Sequence, residues 1–506
     1  MSAGVGARRT AARASARAVW PVQLELAVGA ALALAAVVAW ALVPTYPNYD
    51  AYYHLVWGRE LLDGVKPTFE AYAAPTEHPL YLALCAVLGL FGGDADRLLV
   101  LVGALSLVAL AWATYRVGEA VFGRWPGLLA ALFVGSSFAF LLYAARAYVD
   151  VPFLALVLWA AALEARAPRR GRAVMAMLAV AGLLRPEAWV LAGLYWLWCV
   201  WPRRGPRLDL LGLAVAAPLV WAAVDLWVTG DPLFSLHATS DLADELNRNR
   251  GLRDVPGSFV SFVVDTARPP VALAALGGLV LAWRLRATVP GPAETDPGAA
   301  ETRWASPGAL HVPAGLFAAG ALTFVATGVA GLSVLPRYLT VPVIAVCLLA
   351  GYGVLGFTTL PPGRLRLWWS RAAIAAALLG VVFVAIKAPV VNRLIAELRF
   401  IRATHTELRA VLTAPAVQRS LHCGPLTFPN YRLVPDARWM LDLPASRVGA
   451  RSARRRDRGV AMFVIGAKEL ERFGFAAGAS PITNVPDPGF VPVARNARYA
   501  AYAACP

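Results

Sequence analysis

Two carboxylates in this chain stand where they could serve a reaction at a membrane surface. Asp50 lies in the segment Asn48-Tyr-Asp-Ala-Tyr-Tyr-His54, just after the first long apolar stretch, and Asp150 follows a later one. A carboxylate held among aromatic rings and a histidine can act as a base toward a hydroxyl group. Charged groups near membrane depth are costly, so they tend to mark function or an ion pair. The structural alternative is that each aspartate caps a helix or pairs with Arg146.

Other polar residues at the ends of apolar segments have side chains suited to binding a substrate. Arginine fits phosphate because its planar guanidinium forms paired hydrogen bonds. Arg337 is the first choice for such a contact, since no basic cluster surrounds it, whereas Arg185 has the alternatives of pairing with Glu187 or extending toward the interface. The candidate substrate-binding residues are His54, Glu77, His78, Arg146, Arg185, Glu187, Arg337 and Tyr338.

A divalent metal ion is an open alternative for part of this set. His54, Glu77 and His78 are residue types that bind metals, and the same three residues also suit plain hydrogen bonding. The sequence has no Cys-x-x-Cys or His-Glu-x-x-His motif, so a structural zinc site or a zincin has no support.

The composition places these residues in a membrane protein. Hydrophobic residues make up 59% of the 506 and charged residues only 15%, against about a quarter in soluble proteins. The mean hydropathy is +0.58. The net charge of +16 does not indicate a nucleic-acid partner, because the arginines fall in short clusters between apolar segments. Such clusters are typical of cytoplasmic loops.

If all these basic clusters are cytoplasmic, about eleven helices cross the membrane, with the amino terminus inside and the carboxyl terminus outside. The apolar stretch 79–91 is too short to cross about 30 Å of hydrocarbon, so it predicts an interfacial helix. The predicted spans are 22–43, 98–117, 126–143, 151–163, 173–184, 188–201, 208–228, 270–283, 310–329, 341–357 and 372–388.

The chain divides into three predicted regions. Residues 1–21 form a basic cytoplasmic tail, 22–388 the membrane domain with its first outer loop at 44–78, and 389–506 a small soluble α/β domain outside. Cys423 and Cys505 both lie in the outer domain, where disulfides persist. We expect them to pair, although spacing alone does not establish the geometry.

An ordered set of these motifs resembles the GT-C class of polyprenyl-phosphate-sugar-dependent glycosyltransferases. It looks most like the bacterial relatives of protein O-mannosyltransferases and aminoarabinose transferases (glycosyltransferase family 39-like), over about residues 22–388. The motifs are Asp50-Ala-Tyr-Tyr-His54 with Gly64 and Pro67, Glu77-His-Pro79, Arg146-Ala-Tyr-Val-Asp150-Val-Pro152, Arg185-Pro-Glu187 and Pro336-Arg-Tyr-Leu339.

The resemblance implies an α-helical polytopic GT-C enzyme in a bacterial plasma membrane. It would move mannose, or another hexose or pentose, from a polyprenyl-phosphate donor to a hydroxyl of a protein, lipid or glycan acceptor outside the cytoplasm. Asp50 would be the base of an inverting displacement, and Arg337 would hold the donor phosphate, with Arg185 and Arg146 behind it. Asp150 would orient the acceptor, the base or a divalent ion. Family members often carry Glu after the first Asp; Ala51 stands there, which weakens a metal-binding role.

Two other classes of protein would share the spans and the outer arginines. A transporter or flippase for a lipid-linked sugar needs no carboxylate to activate an acceptor, so it would tolerate the loss of Asp50. A non-catalytic membrane scaffold would tolerate the loss of both Asp50 and Arg337.

Overall fold

The computed structural model describes residues 22–202, 205–245, 251–286, 310–387, 389–474 and 484–505. The predicted basic tail, 1–21, lies outside the described residues. Up to residue 387 the described chain is helical. Its helices are α1 Val22–Leu42, α2 Tyr49–Leu62, α3 Pro79–Gly89, α4 Ala95–Phe122, α5 Arg124–Gly135, α6 Phe138–Ala145, α7 Asp150–Arg166, α8 Arg172–Gly182, α9 Glu187–Val200, α10 Leu208–Thr229, α11 Phe234–Glu245, α12 Val255–Ala267, α13 Pro269–Arg286, α14 His311–Val329, α15 Thr340–Leu355 and α16 Arg364–Lys387.

Several of these helices are long and apolar enough to cross a membrane. Two further pairs, α5 with α6 and α12 with α13, are bent by 58° and 101° at short breaks, and each pair can count as one span. By length and composition the described chain is therefore a multi-pass membrane protein with six spans, or up to eight. The six are Val22–Leu42, Gly92–Phe122, Leu208–Thr229, His311–Val329, Pro336–Thr359 and Arg364–Ile386.

The predicted number of eleven spans is not confirmed. The segments predicted at 173–184 and 188–201 form helices of only 11 and 14 residues, α8 and α9, where a straight span needs about 20. The stretch predicted as an interfacial helix forms α3, whose 11 residues are also too few to cross. The difference arises because apolar composition reports burial in protein as well as burial in lipid.

Glycines allow the helices beneath the site to approach closely. A Cβ placed on Gly278 of α13 would lie 2.0 Å from the carbonyl oxygen of Leu349 on α15, and one on Gly353 of α15 would lie 2.0 Å from that of Ala274. Small residues at such contacts let backbones pack in direct contact, as is common between membrane helices. Helix α15 is consequently buried along most of its length.

Helix α2 carries Asp50 in its first turn and is unusually buried for a short helix that spans nothing. Asn48 caps its amino terminus, because its side chain accepts a hydrogen bond of 3.0 Å from the amide of Ala51. Every residue from 51 to 58 is buried. The helix therefore places Asp50 at a fixed position.

From Pro389 onward the described chain is a mixed α/β region. Its sheet has the order β2-β1-β3-β5-β4, in which β1 pairs with β2 and β3 in parallel, and β5 pairs with β3 and β4 antiparallel. The elements are α17 Pro389–Leu412, α18 Pro415–Ser420, β1 Leu426–Phe428, α19 Val434–Leu441, β2 Val448–Ala450, β3 Gly459–Val464, α20 Ala467–Arg472, β4 Val491–Arg495 and β5 Tyr499–Ala504.

This C-terminal region has an apolar core of its own, which includes Leu412, Phe428 and Met462. A disulfide joins Cys423 to Cys505, which are 82 positions apart in sequence and have their Cα atoms 5.0 Å apart. The predicted pairing of these two cysteines is confirmed. The bond ties the last strand to the turn before the first one.

Candidate active site

Asp50 and Arg337 form an ion pair across the fold. Arg337 lies in a 3-10 turn, Pro336–Leu339, that leads into α15, and its Nη1 donates a hydrogen bond of 2.9 Å to Oδ2 of Asp50. Both side chains are 26% exposed, so the pair is reachable from outside the packed helices. The two residues that the sequence puts forward for base and phosphate contact are thus neighbours.

Arg337 has hydrogen-bonding capacity to spare. Its Nε atom is buried and makes no hydrogen bond within the described part of the chain. The guanidinium carbon lies 5.8 Å from the centre of the Tyr338 ring, and that of Arg185 lies 5.3 Å from the same ring. Tyr338 is therefore shared by both arginines, an arrangement that favours cations by their attraction to the ring face.

Arg185 is enclosed by two carboxylates. Its Nη1 donates to Oδ1 of Asp150, while its Nε donates over 2.9 Å to Oε1 of Glu187 and its Nη2 donates to the same oxygen. All three residues are at most 7% exposed. The predicted role of Arg185 as a reserve phosphate contact does not fit this arrangement, because its charge is already compensated. The predicted alternative, pairing with Glu187, matches the geometry.

Asp150 and Glu187 each keep one oxygen free within this network. Oδ2 of Asp150 and Oε2 of Glu187 are buried and accept no hydrogen bond from any described residue. Buried polar atoms in folded proteins are nearly always satisfied, so unpaired ones point to a bound polar group. Asp150 is fully buried, so any contact between its carboxylate and a substrate requires the substrate to enter the fold.

His54 differs from the prediction. Its Nδ1 lies 2.7 Å from the backbone oxygen of Asp50, and its Nε2 accepts a hydrogen bond of 3.1 Å from the amide of His78. The second contact requires Nε2 to be unprotonated. Nδ1 therefore carries the proton and donates a hydrogen bond to the backbone oxygen of Asp50. Burial lowers the pKa of this imidazole to about 4. Both nitrogens of His54 thus contact the backbone, and the side chain holds α2 against the segment that contains His78.

Glu77 and His78 lie next to His54 and have side-chain atoms without hydrogen-bond partners among the described residues. Glu77 is only 2% exposed, and neither of its carboxylate oxygens has a hydrogen-bond partner among the described residues; Nδ1 of His78 is in the same condition. Burial raises the pKa of Glu77 well above its usual range, and the nearby charge of Asp225 adds to the effect. The His78 ring stacks on that of His54, with the centroids 5.2 Å apart.

Arg146 positions the segment before α2. Its Nη2 donates a hydrogen bond of 2.9 Å to the carbonyl oxygen of Pro47, and its own carbonyl accepts from the backbone and side chain of Asn48 at 2.9 and 3.2 Å. The Nε atom of Arg146 is buried and has no hydrogen-bond partner among the described residues, so its role behind Arg337 in phosphate binding stays a prediction beside this structural one. Arg146 holds Asn48, and Asn48 caps the helix that carries Asp50.

The described residues do not assemble a set of metal ligands. No group of three His, Cys, Asp or Glu side chains in the described ranges is arranged to hold an ion. The nitrogens of His54 are used by the backbone, and Asp150 is bound to Arg185. The divalent ion that the sequence leaves open as an alternative therefore has no fitting donor set among the described residues.

The C-terminal region clamps the far end of α2. Arg438, which is 1% exposed, donates to Oε1 of Glu60 and, over 3.1 Å, to the hydroxyl of Thr68. Arg59 pairs with Asp442 over 2.9 Å. Residues far apart in sequence thus fix both ends of the helix, with Arg337 near its start and Arg438 near its end.

Sequence reasoning missed Asp225 and the pair formed by Arg438 and Glu60. Asp225 is 1% exposed on α10 and accepts two hydrogen bonds of 2.9 Å from Ser235, through its amide and its hydroxyl. A carboxylate beyond the first turn of a 22-residue apolar helix was the signal that could have identified it. Arg438 sits among many polar residues, and nothing in its local sequence distinguishes it.

The arrangement offers a carboxylate and a partly exposed cation in contact, beside several unpaired buried polar atoms. A carboxylate can take a proton from a hydroxyl, and a guanidinium can stabilise charge that develops on a phosphate. The site is therefore suited to transfer reactions in which a hydroxyl attacks and a phosphate leaves.

No protein-family model and no curated protein matches the sequence. Among solved structures, ArnT from Cupriavidus metallidurans is similar to this chain in its undecaprenyl-phosphate-bound and apo forms, with TM-scores of 0.52 and 0.53, 14% identity and coverage of 95% of this chain and 97% of ArnT. The apo oligosaccharyltransferase of Archaeoglobus fulgidus matches with a TM-score of 0.44 and 13% identity, covering 91% of this chain and 72% of that one. The chain therefore has the fold of ArnT, a GT-C glycosyltransferase, over nearly its whole length.

Proposed function

We propose that this chain is a membrane glycosyltransferase that moves a sugar from a polyprenyl-phosphate donor to a hydroxyl of an acceptor outside the cytoplasm. The observation that carries the proposal is the hydrogen bond of 2.9 Å between Arg337 and Asp50. It joins the two groups that such a reaction needs, a base for the hydroxyl and a cation for the phosphate. The shared fold with ArnT, which has been solved with undecaprenyl phosphate bound, supports the donor class.

The reaction is a single displacement at the anomeric carbon of the sugar. The acceptor oxygen forms a bond to that carbon, and the bond from the carbon to the phosphate oxygen breaks. The acceptor proton passes to the carboxylate of Asp50, and the electron pair of the broken bond stays on the phosphate. Because the nucleophile attacks opposite to the leaving group, the configuration at the anomeric carbon inverts.

Arg337 connects the two halves of this step. Its unpaired Nε is available to a phosphate oxygen, while Nη1 contacts Asp50 when no donor is bound. The donor is a phosphodiester with one negative charge, like a carboxylate, and it gains a second as the phosphate monoester leaves, so the guanidinium binds it most strongly in the transition state. Engagement of Arg337 by the donor therefore frees the Asp50 carboxylate to receive the acceptor proton.

The unpaired atoms around this pair suit the polar part of the donor. The free oxygens of Asp150 and Glu187 are hydrogen-bond acceptors, and a sugar presents several hydroxyl donors. Leaving buried acceptors unsatisfied costs about 1–3 kcal/mol each, so a ligand that satisfies them gains affinity. Mannose or another hexose or pentose would meet this requirement.

The setting of the reaction follows from the charge distribution. Basic clusters on the cytoplasmic side would place Asp50 and the C-terminal region outside the cytoplasm, in a bacterial plasma membrane with about eleven crossings. Helices α8 and α9, with 11 and 14 residues, would then be the shortest of these crossings. Membrane lipids surround the protein, and the acceptor is a protein, a lipid or a glycan.

The test uses purified wild-type protein in detergent with polyprenyl-phosphate mannose and a panel of acceptors. Release of polyprenyl phosphate together with an inverted glycoside, read by NMR of the anomeric proton, is the expected result. A retained configuration would contradict the displacement described here. Movement of the intact donor across vesicle membranes, without release of polyprenyl phosphate, would instead identify a transporter.

A further inference from the structure

A cavity of about 230 Å³ lies between the segment that follows α2 and the C-terminal sheet. We call it the Arg454 cavity; it is defined by Tyr53, Tyr72, Arg438, Gly449, Arg454 and Arg456, with smaller residues completing the wall. Tyr53 belongs to α2, while Gly449 belongs to β2. The cavity is thus formed jointly by the helix that carries Asp50 and by the C-terminal region.

The charge of this wall is one-sided. Its lining residues, all in the described part of the chain, include three arginines and no aspartate or glutamate. Arg438 is paired with Glu60, but no ion pair among the described residues engages Arg454 or Arg456. Two guanidinium groups without a carboxylate partner, at the edge of a concave space, favour an anionic ligand.

The rest of the wall suits a single sugar ring. Tyr72 is half-buried and offers a ring that can contact the apolar face of a sugar, and the buried hydroxyl of Tyr53 has no hydrogen-bond partner among the described residues. The volume lies below the roughly 300–1,000 Å³ of sites for larger ligands, so one ring fits and a chain of several does not. A lipid headgroup would be bound by the exposed arginines of the neighbouring loop and would not need an enclosed space.

The position of the cavity relates it to the reaction. Tyr53 comes three residues after Asp50 on α2, so the two side chains are neighbours on one helix face. A rise of 1.5 Å per residue puts them about 5 Å apart along the helix axis. Tyr53 lines the cavity and Asp50 does not, so the cavity begins within one helical turn of the residue that carries the proposed base.

We propose that the Arg454 cavity binds the acceptor, and that the acceptor is a saccharide whose bound ring bears a carboxylate or phosphate group. The proposal rests on the function proposed above, because it assigns the acceptor of that reaction. Arg454 and Arg456 bind the anionic group, and the tyrosines contact the ring. A hydroxyl of the same saccharide then reaches Asp50.

Binding to the purified full-length protein is measured by saturation-transfer NMR with glucuronic acid, glucose 6-phosphate and uncharged glucose. We expect one or both anionic sugars to bind and glucose not to compete with them. Arg454→Gln and Arg456→Gln should each weaken binding about tenfold, as expected for the loss of a charge-assisted hydrogen bond. Arg458→Gln is the matched control, since Arg458 is exposed on the same loop but does not line the cavity.

Filling the cavity tests the position of the ligand independently of charge. A Cβ built on Gly449 meets no atom within 4 Å, so Gly449→Leu extends into open space. It should abolish binding of the anionic sugar and leave thermal unfolding unchanged. If Gly449→Leu itself unfolds, the exposed Arg454→Gln and Arg458→Gln variants decide the question.

Several results would overturn the assignment. They are equal binding of charged and uncharged sugars, no binding at all, equal effects of Arg454→Gln and Arg458→Gln, and binding of phosphatidylglycerol vesicles alone. Release of polyprenyl phosphate from the donor to water is read in the same samples. If the cavity variants bind anionic sugars like wild type and polyprenyl phosphate is still released, only the assignment of the cavity is rejected. If the anionic sugars bind but no polyprenyl phosphate is released, the proposed function is rejected and the binding site is retained.

Discussion

Arg337 donates a hydrogen bond of 2.9 Å to Asp50 across 287 residues of sequence. The contact joins the start of α2 to the turn before α15, two elements that meet only in the folded chain. Neither side chain is fully buried, so the pair can open toward a substrate. It is the feature that unites the proposed base with the proposed phosphate contact.

Removal of the Arg337 charge should weaken use of the donor. Arg337→Met takes away the phosphate contact, so we expect KM for a polyprenyl-phosphate sugar to rise and kcat/KM to fall about 10- to 100-fold. Arg337→Lys keeps the charge but lacks the planar guanidinium, so its kcat/KM should lie between those of wild type and Arg337→Met. Steady-state kinetics of donor consumption provide the measurement. Arg419→Met, at an exposed arginine, is the control. A donor KM unaffected by Arg337→Met would argue against the phosphate contact.

Arg185 should matter first for stability. Arg185→Met leaves Asp150 and Glu187 as uncompensated buried carboxylates, and breaking such an arrangement costs about 3–5 kcal/mol of unfolding free energy. Denaturant unfolding in detergent measures this loss. The combined variant Asp150→Asn, Arg185→Met, Glu187→Gln removes all three charges and should recover most of it. An Arg185→Met protein of wild-type stability with a raised donor KM would make Arg185 a phosphate ligand instead.

Glu77 should make stability depend on pH. Burial and the charge of Asp225 raise the pKa of Glu77 in the folded state well above its usual range. Above the ordinary glutamate pKa of about 4.3, the unfolded chain therefore loses this proton before the folded chain does. The stability contributed by the group is complete below that pH and is lost as the pH rises toward the folded pKa.

Glu77→Gln keeps the shape of the protonated acid and removes the titration. Its unfolding free energy should match that of wild type near pH 4 and exceed it increasingly at higher pH, by up to about 1.4 kcal/mol per pH unit. Thermal and denaturant unfolding from pH 4 to 8 provide the comparison. Glu70→Gln, at an exposed glutamate of the same segment, should follow wild type throughout. Parallel curves for Glu77→Gln and wild type would show that Glu77 titrates normally.

Arg438 should couple the C-terminal region to the site. Arg438→Met removes a guanidinium that is 1% exposed and leaves Glu60 unpaired, so we expect a loss of about 3–5 kcal/mol and a lower kcat. Adding Glu60→Gln removes the unpaired charge and should restore part of the stability. If the clamp positions α2, kcat should stay low in this double variant although the protein is folded. Arg432→Met, at an exposed arginine nearby, is the control. Full activity in the double variant would show that the clamp does not position Asp50.

Part of this site could be predicted from the sequence because charged residues next to apolar segments are conspicuous. Asp50, Asp150, Arg185 and Arg337 were found in this way, and the pairing of Arg185 with Glu187 was an explicit alternative. Sequence could not show that Arg337 meets Asp50, since no local pattern specifies a contact between distant elements. It also could not show that His54 contacts two backbone groups. Every residue other than proline has a backbone N–H and a carbonyl, so the sequence does not reveal which of them a histidine will contact.

The fold shows the same division. The sequence predicted a small α/β region at 389–506, and a five-stranded sheet with helices is observed there. The number of spans was harder to predict, because α8 and α9 are apolar like membrane spans but have only 11 and 14 residues. Asp225 was not predicted, because the candidate residues lie at the ends of apolar segments and Asp225 lies inside an apolar segment.

The central claim is that Asp50 is the base, and Asp50→Asn tests it most directly. Asparagine can still accept the hydrogen bond from Arg337, so the protein should fold and bind donor while losing its proton acceptor. Single-turnover transfer from a polyprenyl-phosphate sugar is measured beside Asp63→Asn, a change at an exposed carboxylate that follows the same helix. We predict that Asp50→Asn lowers the rate about 10²- to 10⁴-fold and that Asp63→Asn matches wild type. Transfer by Asp50→Asn at the wild-type rate would contradict the account.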